Sequence, residues 1–225
     1  MIDKVCARLS NKIGRELQVS ENEKAVIHYG LFAIIHTSIS IGAIVLVGSL
    51  FGVFIPALIL SVTTVILRKY SGGAHASSPE SCAIIGVIIS VGGAWLLSKM
   101  HWNLIVVIIS VLVIFILGFY KVYQLAPVDS MAKPIRKQEK KEALKKKSIF
   151  TLGVYLVGTI GLLSIYLTKQ KDIVLVWVMC ICIGIFWQIL TLTPLGHLIV
   201  EKIDLFLIHT DARIKIGHTE WRFDL

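Results

Sequence analysis

Charge is scarce in this chain. Only 16% of its 225 residues are Asp, Glu, Lys or Arg, against 56% hydrophobic, and the mean hydropathy is +0.79. A soluble domain carries roughly 25% charged residues, so this composition belongs to an integral membrane protein. Between Ala25 and Leu67 there is no formal charge at all, with histidine taken as neutral. Residues 1–24 are charged throughout and lack the apolar core of a signal peptide, so no cleavable signal is expected. Cysteine is limited to Cys6, Cys82, Cys180 and Cys182. In a cytoplasmic or intramembrane setting these stay reduced, which argues against a disulfide framework. No internal repeat and no paired intramembrane carboxylates are present, which counts against the main rival class, a small transporter or channel exporting a peptide. The net charge of +9 invites a nucleic-acid reading, but the basic stretches carry no interleaved aromatics and there is no soluble domain to hold them.

What the chain does have is a series of apolar runs. A spanning helix needs about 20 apolar residues. The expected fold is therefore all-α, with about six transmembrane helices over residues 25–47, 53–67, 82–98, 102–120, 148–168 and 173–192, in a single polytopic domain. The break between the first two is expected where Gly48, Gly52 and Pro56 cluster. Ahead of them, Ile2, Val5, Cys6, Leu9, Ile13 and Leu17 share one helical face and Lys4, Arg8, Lys12 and Arg15 the other. Residues 1–19 thus form an amphipathic helix, either lying in the membrane interface against anionic headgroups or packed on the protein's own cytoplasmic face. Ser20 with Glu23 forms a capping box that opens the next helix. Thr193-Pro194-Leu195-Gly196 ends the last span, and a mixed, partly amphipathic tail follows.

Lysine and arginine are unevenly placed. The N-terminus, the 68–81 segment, the basic loop 121–147 and the C-terminal tail hold 20 of the 23; Lys99, Lys169 and Lys171 are the rest. The positive-inside rule then puts both termini and residues 68–81 on the cytoplasmic side of a multi-pass cell-membrane protein.

The short polar island from Arg68 to Cys82 is the one stretch rich in reactive groups. It holds a glycine pair, Gly72 and Gly73, then His75, then Ser78-Pro79-Glu80-Ser81-Cys82. The last five read as N-cap, proline at N1, an acidic residue in the first turn and a thiol near the helix start. The positive end of the helix dipole and a neighbouring histidinium both favour thiolate over thiol. Free amide groups of that turn are candidates for an oxyanion hole. Thiol and imidazole within reach of each other are the minimum parts for nucleophilic attack on a carbonyl. The plain alternative is a polar loop that contains a histidine and a cysteine by accident. A metal site is disfavoured, since two ligands are too few and no further His or Cys follows at the usual short spacing; no cofactor is called for. Cys180 and Cys182 lie about 200° apart on one helix, and with Cys6 they read as small apolar residues.

The pattern Arg68-x-x-x-Gly72-Gly73-x-His75-Ala76 followed by Cys82, set between two apolar runs, resembles the accessory gene regulator B (AgrB-type) family. So do Ala126-Pro127-Val128-Asp129 and Lys133-Pro134-Ile135 after the fourth span. That family comprises membrane cysteine endopeptidases of Gram-positive bacteria that process quorum-sensing propeptides. The resemblance implies that His75 and Cys82 are catalytic. It further implies that a short amphipathic propeptide is cut near its C-terminal part through a Cys82 thioester, which an internal thiol or hydroxyl of the substrate resolves into a thiolactone or lactone ring. It also suggests a homodimer, for which Gly86, Gly92, Gly93, Gly158 and Gly161 would permit close helix contact.

A third catalytic group would follow triad logic. Glu80, Asp129 and Gln188 are the candidates; against them stand a helix-start acid, a solvated loop residue and an interhelical hydrogen bond. His36, deep in the first span, reads better as a neutral core histidine than as an intramembrane functional group. The lysines from Lys137 to Lys147 fix topology and touch anionic lipid at about 1 kcal/mol each, and they could also dock an acidic part of the precursor.

Overall fold

The computed structural model describes residues 2–128 and 137–220, with side chains to His209. Nine α-helices follow in order among the described residues, with no strand: α1 Ile2–Glu16, α2 Glu21–Leu50, α3 Phe54–Ser71, α4 Pro79–Val87, α5 Gly93–Lys99, α6 Leu104–Leu125, α7 Gln138–Lys169, α8 Asp172–Thr191 and α9 Pro194–Glu220. A π-helical turn, Ile88–Gly92, fuses α4 and α5 into one rod. That rod, with α2, α3, α6, α7 and α8, gives six helices long and apolar enough to cross a membrane. The all-α, six-span architecture read from the sequence is the one observed.

α8 is the axis of the bundle. It is buried far more completely than the other spans and packs against α3, α5, α6 and α7. Gly184 makes the closest approach: a Cβ there would stand 2.9 Å from the Leu60 carbonyl oxygen, so only glycine lets α3 and α8 meet. Polar groups tie α3 to α8 and to α7 as well. Thr64 Oγ1 donates to Gly184 O at 3.3 Å, and Tyr155 Oη to Thr63 O at 3.0 Å. In an apolar medium, helix contact relies on such small residues and interhelical hydrogen bonds because hydrophobic burial gives little between helices. α2, by contrast, is almost bare, with Val26, Ile34, Ile39 and Leu46 all exposed, as a helix facing lipid can be.

The capping box forms as expected: Glu23 N–H donates to Ser20 Oγ at 3.3 Å, and Ser20 N–H to Glu23 Oε2 at 2.9 Å. α1 packs on α2 through a stripe of Cys6, Ser10 and Gly14, and Asp3 Oδ1 lies 3.0 Å from His28 Nε2. Val5 and Leu9 of α1, and Leu17 just after it, stay exposed. α1 therefore docks on the protein chiefly through small residues, with Val5 and Leu9 left outside the contact.

Two stretches differ from the sequence reading. The basic segment is not loop from end to end, because α6 runs on to Leu125 and α7 starts at Gln138, well before the apolar run begins. Glu, Lys, Ala and Leu dominate 138–147 and are strong helix formers whatever their polarity. Lys145 Nζ caps the Tyr123 ring at 4.4 Å, holding this extension beside α6. Secondly, the break after α8 lasts barely a turn. Thr193 Oγ1 accepts from Gly196 N–H at 3.2 Å, and Pro194 starts α9 at once.

Candidate active site

The site is built at the end of α3. Gly72 (φ +69°) and Gly73 (φ +129°) turn the chain sharply after Ser71, in backbone regions that favour glycine. The turn is strapped from three sides. Val128 N–H donates to Ser71 O at 2.9 Å, making an isolated parallel bridge with Gly72. Gln188 Nε2, from fully buried Gln188 on α8, donates to Ser71 Oγ at 2.9 Å and to Gly72 O at 2.7 Å. Ala74 N–H donates to Thr191 O at 2.9 Å, and the Arg68 guanidinium donates to Ala74 O. There is no room for a side chain here: a Cβ on Gly73 would lie 2.7 Å from Thr191 Oγ1, and one on Gly72 would strike Val128 O.

His75 follows directly, so its backbone leaves a fixed point. It is exposed. Partial burial of its ring disfavours the charged form and pulls its pKa below the usual value, and the charges of Arg68 and His197 push the same way. His75 is thus biased to neutral imidazole, the form that accepts a proton.

Two residues later Ser77 N–H donates to Asp204 Oδ2 on α9 at 2.7 Å. Ser78 then caps α4, its Oγ accepting from Ser81 N–H at 3.0 Å, with Pro79 as the first helical residue. Cys82 is half-buried in this first turn. Its N–H donates to Ser78 O at 3.1 Å. The expected oxyanion hole is reduced by this: the Ser81 and Cys82 amides are both engaged within the cap, and Pro79 has none. The helix field at Cys82 remains.

Arg68 links the two reactive residues. Its guanidinium, held at Ala74 O, is coupled electrostatically to both His75 and Cys82. No hydrogen bond joins His75 to Cys82 in this structure, a common feature of catalytic pairs without substrate. Behind them Ala74, Ile85 and Val200 form a small apolar core with Ala76, Trp187 and Ile203, tying loop, α4 and α9 together.

The remaining expected residues sort as follows. Arg68, Gly72 and Gly73 are all structural parts of the His75 turn. Gln188 braces that turn from behind. Its observed partners are the turn's own groups, while its Oε1 is buried without a partner. Glu80 is exposed in the first turn of α4. Asp129 lies outside the described residues, as do Lys133, Pro134 and Ile135. Among the described residues no group of three or more His, Cys, Asp or Glu converges as a metal would need. Cys6, Cys180 and Cys182 are buried, at 0%, 0% and 1% exposure. Sequence reading missed Asp204, Thr191 and His197. Thr191 acts through its main-chain carbonyl, which no motif announces, and Asp204 and His197 sit in a segment read as tail.

Comparison with known proteins agrees with the motif. The sequence model for Accessory gene regulator B matches residues 6–192. A putative AgrB-like protein of Clostridium perfringens strain SM101 is 37% identical over 211 residues, covering 92% of this chain and 98% of the relative. Putative AgrB-like protein 2 of Clostridium perfringens strain 13 is 36% identical with the same coverage. The accessory gene regulator protein B of Staphylococcus carnosus is 28% identical over 151 residues, 67% of this chain and 68% of that protein. No solved structure matches. With a match running from the first turn of α1 to the end of α8, the chain belongs to the accessory gene regulator B family.

Proposed function

We propose that this protein is a membrane cysteine endopeptidase that cuts a short amphipathic signalling propeptide and promotes its cyclisation. The observation that carries the proposal is the strapped turn, which holds a histidine biased to its neutral form a few residues ahead of the N-terminal turn bearing Cys82, with Arg68 coupled electrostatically to both. His75 takes the proton from Cys82 Sγ, and the thiolate so formed attacks a peptide carbonyl. The developing oxyanion is stabilised by the nearby positive groups. The C–N bond breaks, His75 returns its proton to the leaving amine, and the C-terminal fragment departs. A thioester between Cys82 and the N-terminal fragment remains. A thiol or hydroxyl within that fragment attacks the thioester carbonyl, transfers its proton to His75 and thence to Cys82, and closes the ring. Thioester exchange is between groups of similar energy and needs no energy input.

Substrate docking follows from charge. Lys145 and Lys147 stand over Tyr123 and Tyr70, at 4.4 and 6.0 Å, on the side of the bundle where α3 ends. An acidic end of the precursor would be drawn to these lysines and to the rest of 137–147, and the excess of Lys and Arg on this face supports a cytoplasmic location for it. In proteoliposomes, cognate precursor should yield a free C-terminal fragment without ATP. Chelator should leave the rate unchanged and an alkylating agent should stop it. Loss of activity in chelator alone would move the assignment to a metallopeptidase.

A further inference from the structure

Asp204 is a carboxylate that the chemistry above does not use. It lies on α9 beyond the matched family region, yet it is only 6% exposed. Its Oδ2 accepts from Ser77 N–H at 2.7 Å, while its Oδ1 is buried with no hydrogen-bond partner. Burial raises its pKa, but the hydroxyl and amide of Ser77 and the hydroxyl of Ser81 outweigh this and hold the carboxyl below its ordinary value. A buried, half-satisfied carboxylate is costly, and such groups are rare without a reason. Apolar packing by Val200 and Ile203 already glues α9 to this loop, and such packing is non-directional. A hydrogen bond fixes one N–H along one line.

That N–H is well chosen. The N-terminal end of the loop is held at Ala74 by Thr191 and Arg68. Its C-terminal end runs into the Ser78 cap that sets the start of the Cys82 helix. Among the described residues, Ser77 is the one point between His75 and that cap where another element grips the backbone.

We propose that Asp204 is a positioning residue for the His75–Cys82 pair, clamping the loop between them to α9 so that imidazole and thiol hold one relative geometry. The proposal rests on the cysteine-peptidase reading. It makes α9 part of the catalytic frame, although the substrate need not touch it. Removing the clamp would let His75 and the α4 N-terminus drift apart. Turnover would fall, while precursor binding, which uses other surfaces, would persist.

The test uses the full chain in proteoliposomes with its cognate precursor, comparing Asp204→Ala, Asp204→Asn and Cys82→Ala. For Asp204→Ala, kcat should drop at least tenfold with KM within twofold of wild type, and the rate of Cys82 alkylation by iodoacetamide should change. Asp204→Asn keeps an acceptor for Ser77 N–H but loses the charge that strengthens the bond, so kcat should fall about threefold, between wild type and Asp204→Ala. A raised KM with wild-type kcat, or wild-type values for both constants, overturns the clamp. If Asp204→Ala does not accumulate in the membrane, Asp204→Asn decides: a threefold fall in kcat supports the clamp and wild-type kcat overturns it. Cys82→Ala separates the two readings. Processing that survives in it sinks the peptidase assignment itself, whereas an inactive Cys82→Ala beside a fully active Asp204→Ala sinks only the clamp.

Discussion

Replacing Gly73 with alanine should disable the site while leaving the bundle in the membrane. At φ +129° an L-residue is strained, by an amount on the order of 1–3 kcal/mol. The new Cβ would sit 2.7 Å from Thr191 Oγ1 and 3.3 Å from both Gln188 Nε2 and Thr191 O. Neither neighbour can swing away freely. Thr191 Oγ1 donates to Gln188 O at 2.8 Å inside a buried seam, and Gln188 Nε2 supplies both bonds to the turn. Breaking two such bonds costs about 0.5–1.5 kcal/mol each. Together the penalty is about 2–6 kcal/mol, a part of the roughly 5–15 kcal/mol that keeps an ordinary domain folded. The cheapest relief is for the turn to move off α8, carrying Ala74 and His75 with it. Precursor turnover in proteoliposomes should fall at least a hundredfold, with normal amounts of protein in the membrane fraction. Gly153→Ala is the control, because a Cβ there meets nothing within 4 Å, and it should process at the wild-type rate. Wild-type turnover in Gly73→Ala would refute the reasoning that this turn sets the histidine.

Other expectations follow from the same geometry. Because burial and then the Arg68 and His197 charges depress the His75 pKa below 6.5, processing should persist as pH drops below 6.5 and fail only on passing the lower folded value; an acid limb centred above 6.5 would contradict this. The unfolded chain binds that proton first, so stability should also decline over the same window as pH falls. Arg68→Gln removes one of those charges and the bond to Ala74 O, and should move the acid limb upward and lower kcat. Iodoacetamide should modify half-buried Cys82 at least tenfold faster than Cys6, Cys180 or Cys182, which are buried, as read by mass spectrometry. Membrane-impermeant thiol reagents should reach engineered cysteines at 100 and 170 from outside, and at 130 and 215 only after permeabilisation.

The spans were legible because a bilayer demands long uncharged runs; the short turn at Lys99 and the Lys169–Asp172 joint separate the later pairs, while the 25–67 run, too long for one span, left its break to glycine and proline alone. The chemistry was legible at one helix start, since Ser78-Pro79 fixes the N-terminus that carries Cys82. What stayed hidden is how the loop is held. Arg68, Gly72 and Gly73 stood out as a motif, but their partners Val128, Gln188 and Thr191 lie far along the chain and act through amides and carbonyls common to every residue. Gln188 stood out only as a polar residue in an apolar run, which fits a brace as well as a catalyst. The helical part of 138–147 was obscured because topology reasoning counts its lysines, while the backbone responds to helix propensity. α9 was obscured by its mixed composition, and Asp204 with it.

The central claim is a covalent bond between Cys82 and the precursor, and intact-mass and peptide mapping of the protein quenched in acid during turnover test it most directly. The account predicts a thioester of the precursor's N-terminal fragment on Cys82, labile to hydroxylamine, absent from Cys82→Ala and strongly reduced in His75→Ala. Release of the C-terminal fragment by Cys82→Ala at an undiminished rate, or an adduct on any other residue, would contradict it.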